Sequence, residues 1–87
     1  MRINCIVGKF KQKGDKFQTN HLISIPNNVD IKKNDHVTLT VKGSQENICI
    51  KAVTQNFLLD CEEKPAELIE TMYCISQIGG YEDDKNL

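Results

Sequence analysis

The sequence has no tryptophan, two prolines, five glycines and aromatic side chains at only 6% of its positions. With so little proline and glycine it is neither a flexible linker nor a repetitive fibrous chain. It has no closely spaced cysteine pair either. Cys5, Cys49, Cys61 and Cys74 are 44, 12 and 13 positions apart, whereas structural zinc and thiol–disulfide sites draw on C-x-x-C spacings. The four therefore read as reduced thiols that fill core or half-core positions in an intracellular protein, with no metal and no cofactor. In a secreted chain the same four could form two disulfides.

Catalytic signatures are missing as well. There is no H-E-x-x-H, no G-x-S-x-G and no glycine-rich phosphate loop, and His21 and His36 are isolated on strand-like stretches. A non-enzymatic protein is expected. The opening apolar stretch Ile3–Val7 is short and lacks a cleavage pattern, and no run approaches the ~18 apolar residues of a membrane span. The expectation is a cytoplasmic protein without membrane attachment.

What is present is one small domain of 87 residues, short enough that a second subunit would add useful stability. Its net charge of -1 conceals a strong polarity. Residues 1–53 hold nine Lys/Arg against four acids, a balance of +5; residues 54–87 hold two against eight, a balance of −6.

The first two thirds alternate with the period of strands. Ile3–Val7 leads into Lys9, Lys11 and Lys13, which share one face of an extended segment; Gly14-Asp15 turns the chain, and Lys16 follows. Phe17, Thr19, His21, Ile23 and Ile25 then fall on one face, giving a first hairpin with a basic arm. After Pro26-Asn27-Asn28 and the polar turn Lys32-Lys33-Asn34-Asp35, residues 36–53 form a second hairpin, with Val37, Leu39 and Val41 inward and His36, Thr38 and Thr40 outward. His36 is expected to be exposed. Cys49, out of phase with Ile48 and Ile50, is the exposed thiol of that hairpin. Phe57–Cys61 is one more short strand or a link.

Beyond residue 61 the pattern changes. Pro65 suits the first turn of a helix, Glu67 and Glu70 its positive end, and Gly79-Gly80 its stop. Leu68, Ile69, Met72, Tyr73 and Ile75 recur near the 3.6-residue period. The expected fold is mostly β, with about four or five strands in a small sheet or barrel and one C-terminal amphipathic α-helix. The expected organisation is a basic β module over 1–61, a helix over 62–80 packed on it through that apolar stripe, and a mobile acidic tail over 81–87.

Two surfaces then invite partners. Lys9, Lys11, Lys13 and Lys16, with Lys32, Lys33 and His21, form a candidate surface for the phosphates of duplex DNA; equally, edge lysines guard strands against aggregation. Glu62, Glu63, Glu67 and Glu70, with Met72 and Tyr73, form a candidate surface for a protein partner.

The stretch His21-Leu22-Ile23-Ser24-Ile25-Pro26, the turn Lys32-Lys33-Asn34-Asp35, the alternating Val37-Thr38-Leu39-Thr40-Val41 and the closing Ile48-Cys49-Ile50-Lys51 resemble the AbrB-like swapped-hairpin family of bacterial and archaeal regulators and antitoxins. The resemblance covers residues 21–52. Asn34 stands where that family usually has glycine, Asn20-His21 replaces its Gly-Arg, and the link after Pro26 is shorter than the usual helical turn or two. The resemblance implies a homodimer with interleaved hairpins, lysines and His21 near the DNA backbone, and a C-terminal segment that binds another protein. The function expected is thus a DNA-binding, antitoxin-like transcription regulator. The alternative is a small protein-binding inhibitor or adaptor, such as a phage or plasmid would encode, that binds no nucleic acid.

Overall fold

The computed structural model describes residues 1–10 and 19–79. They form six strands: β1 (Arg2–Phe10), β2 (Asn20–Ser24), β3 (His36–Val41), β4 (Asn47–Ala52), β5 (Phe57–Asp60) and β6 (Thr71–Ile78). One antiparallel sheet runs β2-β1-β4-β3-β6, with β5 beside β1. Both expected hairpins are present, β1–β2 and β3–β4. Lys11, Lys13, Lys16 and the turn between the arms of the first hairpin lie outside the described residues, as does the tail 81–87.

β4 and β5 behave as one interrupted strand along β1. β5 pairs with Arg2–Cys5 and β4 with Gly8–Phe10. Between them the chain bulges away at 53–56, where the amides of Val53 and Thr54 both donate to the Val7 carbonyl and Thr54 Oγ1 accepts from Val7 N at 3.1 Å. Gly8 sits where three elements crowd together: a Cβ there would lie 3.2 Å from Ile50 Cδ1 and 3.3 Å from the Lys51 carbonyl oxygen.

The sheet curls back on itself. Ile69, just before β6, bridges to Ile23 of β2, with Ser24 N donating to Ile69 O and Ile69 N to Leu22 O, each at 2.9 Å. Thr71 adds its amide to Ser24 Oγ and its hydroxyl to the Ser24 carbonyl. Inside this curl lie Ile6, Ile23, Ile25, Ile31, Val37, Leu39, Ile50 and Ala52, each no more than 4% exposed. Such burial of branched side chains is the main favourable contribution in so small a domain.

The expected C-terminal helix over 62–80 is absent: the described residues contain no helix, and the chain there is a loop followed by β6. Pro65 starts only a single turn, closed by Leu68 N donating to Pro65 O at 3.1 Å. The next amide, Ile69 N, pairs with β2. The apolar spacing is not that of a buried helix face; β6 carries two register shifts against β3, one between Thr38 and Leu39 and one between Thr40 and Val41, which break its two-residue alternation. Each shift adds a residue to β6, so the partners of the inward Val37, Leu39 and Val41 are Gln77, Cys74 and Thr71, spaced by three. None of these three belongs to the apolar stripe, whose Met72, Tyr73 and Ile75 occupy the other positions of the bulged strand. The expected packing of the stripe on the sheet fails with the helix: Ile69 packs against the core, but Met72, Tyr73 and Ile75 are exposed.

Candidate nucleic-acid interface

Three lysines converge on the outer face of the sheet. Because Gly8, Ile50 and Ala52 face the core, strand alternation sends Lys9 and Lys51 outward. They are direct cross-strand partners, and Lys51 is in turn opposite His36, giving a row Lys9–Lys51–His36 across β1, β4 and β3. His36 is half-buried in that row rather than exposed.

The turn before β3 brings in the third lysine. Asn34 N donates to Ala52 O at 2.9 Å and Ala52 N to Asp35 O at 2.8 Å, which pins the turn to the end of β4. Asn34 takes φ 75°, a left-handed conformation that asparagine tolerates better than most residues. Asp35 is buried and accepts hydrogen bonds at Oδ2 from Lys32 N and Gln77 Nε2, both at 2.9 Å. The consequence is a depression of about 260 Å³ lined by Lys9, Lys33, Asn34, Lys51, Ala52 and Val53. Among the described residues its wall has three ammonium groups and no carboxylate. Among the described residues, the ion pairs are those of Lys42 and Lys64 with Glu70, and none involves these three lysines.

Like charges directly opposite each other destabilise a sheet. A bound polyanion reverses that sign, since each ammonium group then neutralises a phosphate and releases a counterion. Chemically, the cluster can hold phosphates.

The expected surface is only partly assembled. Lys9 and Lys33 meet; Lys51, which sequence reasoning passed over, completes the group. Its signal was present in the antiparallel register, which sets residue 51 opposite residue 9, but not in any local motif. Lys32 instead borders a different depression, with Asp30, Ile31, Gln55 and Asn56. His21 is opposite the inward-facing Gly8, with its ring 4.5 Å from that of Phe10 and Nε2 3.0 Å from Thr19 Oγ1. That puts it on the other face from the lysines, in a packing role.

The acidic residues separate too. Glu62, Glu63 and Glu67 are exposed on the loop before β6. Glu70 is tied to Lys64 at 3.0 Å and Lys42 at 3.6 Å. The Lys64 hydrogen bond, with Lys42 behind it, holds its carboxyl below the ordinary range. Met72 and Tyr73 lie on β6.

A larger depression of about 420 Å³, lined by Asn4, Asn27, Asn56, Phe57 and Leu58, offers less chemistry. Its amides are already engaged: Asn4 Nδ2 donates to the Pro26 and Val29 carbonyls, and Asn56 Nδ2 to Asn4 Oδ1 and Asp30 Oδ1. The four cysteines are unpaired thiols, and among the described residues no cluster of His, Cys, Asp and Glu is arranged to hold a metal ion. No helix of the described residues is long and apolar enough to cross a membrane.

No protein-family profile, curated protein or solved structure matches the chain.

Proposed function

We propose that this protein is a small DNA-binding regulator or antitoxin-like protein that holds the phosphate backbone of duplex DNA on the outer face of its sheet. The observation that carries the reading is the face-to-face pair Lys9 and Lys51 with Lys33 beside it, in a depression that no carboxylate of the described residues lines. Lysines contact phosphates as point charges, so this face orients the protein on DNA without reading bases. The AbrB-like resemblance of residues 21–52 leads to the same class, and on this reading the protein is cytoplasmic and dimeric.

Titration of a labelled duplex at low and moderate salt tests it. Binding should weaken steeply as salt rises. Failure to be retained on heparin at low salt would overturn the reading.

A second reading, a protein-binding inhibitor or adaptor, draws on Glu62, Glu63 and Glu67, which form no ion pair among the described residues. Reversing those three charges should then abolish association with a basic protein while leaving the lysine face intact; unchanged association counts against it.

A further inference from the structure

We infer that the outward flank of β6 is the contact surface between two copies of this chain. Of the six large apolar side chains most exposed among the described residues, four lie on this strand: Met72 at 43%, Tyr73 at 61%, Ile75 at 55% and Ile78 at 59%. The stretch from Thr71 to Gly79 contains no charged residue. β6 also ends the strand order, and beyond the Ile69 bridge no strand covers its outer edge among the described residues. Alongside it a depression of about 340 Å³ opens between Met72, Tyr73 and Cys74 on one side and Pro26, Asn28 and Val29 on the other. Edge strands of monomers are ordinarily guarded by charge, lysine above all; this one has no charge to guard it.

The occupant follows from charge, area and symmetry. A strand without charges can meet its own twofold copy with no like-charge repulsion, and it offers nothing to select a charged partner. Side chains of this size, about half uncovered, supply on the order of 400 Å² per copy, and the neighbouring Pro26, Val29 and backbone extend that toward the roughly 800 Å² per partner of a stable interface. The two bulges matter here as well. They interrupt the regular ladder, so β6 is a poor template for open-ended strand addition, and the contact is made by side chains and closes at two chains. The flank adjoins the lysine face, since Ile78 is opposite His36 at the end of the Lys9–Lys51–His36 row, but the inference requires neither DNA binding nor an exchange of hairpins.

Sedimentation equilibrium of the full chain across a wide concentration range tests it, with Tyr73→Lys, Ile75→Lys and, as a control on another strand, Leu58→Lys, whose side chain is 62% exposed. The wild type and Leu58→Lys should reach the mass of two chains. Each β6 variant should raise the dimer dissociation constant by about tenfold or more, with an unchanged circular dichroism spectrum to show that it folds. A wild type of single-chain mass at every concentration overturns the inference. So does a dimer that both β6 lysines leave intact, which is the result a hairpin swap would give.

Discussion

Lys9 on β1 and Lys51 on β4 are paired directly across an antiparallel ladder, with Lys33 on the turn beside them. In the unliganded sheet this arrangement costs stability, because opposed like charges outweigh the small gain from packing their aliphatic stems. Stability and anion binding should therefore respond in opposite directions to a change at this pair.

Lys51→Glu converts the repulsive pair into an attractive one. It is expected to raise unfolding free energy by roughly 0.2–1 kcal/mol while weakening binding to duplex DNA. Urea denaturation and a DNA titration on the same preparation check both halves.

Asn34 tests the turn that delivers Lys33. At φ 75° a Cβ is strained, so Asn34→Ala should destabilise by about 1–2 kcal/mol, whereas Asn34→Gly should stay within about 1 kcal/mol of the wild type. Thermal unfolding of the two variants separates them. Equal losses would show that the asparagine amide, and not the backbone conformation, is what the turn needs.

These residues also show how far the sequence could be read. The second hairpin was legible because β3 and β4 keep strict alternation with one hydrophobic face. β6 was not, because its two bulges break the two-residue alternation that marks a strand, and its apolar side chains Met72, Tyr73 and Ile75 are exposed instead of lining the core. In the candidate site, Lys9 and Lys33 were visible as basic positions. Lys51 was hidden among apolar neighbours until the register placed it opposite Lys9. His21 looked like part of the basic face, yet its pairing with the inward Gly8 puts it on the opposite side.

Glu70 should make stability depend on pH. Its carboxyl is held below the usual 4.5 by the Lys64 hydrogen bond first and Lys42 second. A depressed carboxylate contributes stability above its unfolded value and loses that contribution as pH falls through the folded one. The stability difference between wild type and Glu70→Gln should thus be constant at neutral pH and shrink as the solution is acidified below about 4.5, the ordinary value. Chemical denaturation at a series of pH values reads it; a difference independent of pH would remove Glu70 from the ion-pair network.

The thiols should react in a fixed order. Cys49 is exposed on the outer face, while burial pushes the thiols of Cys5 and Cys74 above 9.0, with Cys61 adding to the effect at Cys5. The thiolate is the nucleophile. Under native conditions a maleimide or disulfide reagent should label Cys49 first and Cys5 last, as peptide mass mapping will show.

The most direct test of the lysine face is the slope of log binding constant against log salt for duplex DNA, measured for the wild type and for Lys9→Ala/Lys33→Ala/Lys51→Ala. If the three ammonium groups neutralise phosphates, the triple variant should bind more weakly and its slope should be shallower by about 2 to 3, near 0.9 for each phosphate that no longer meets an ammonium group. No duplex binding by the wild type at low salt, or the same slope in both proteins, would contradict it.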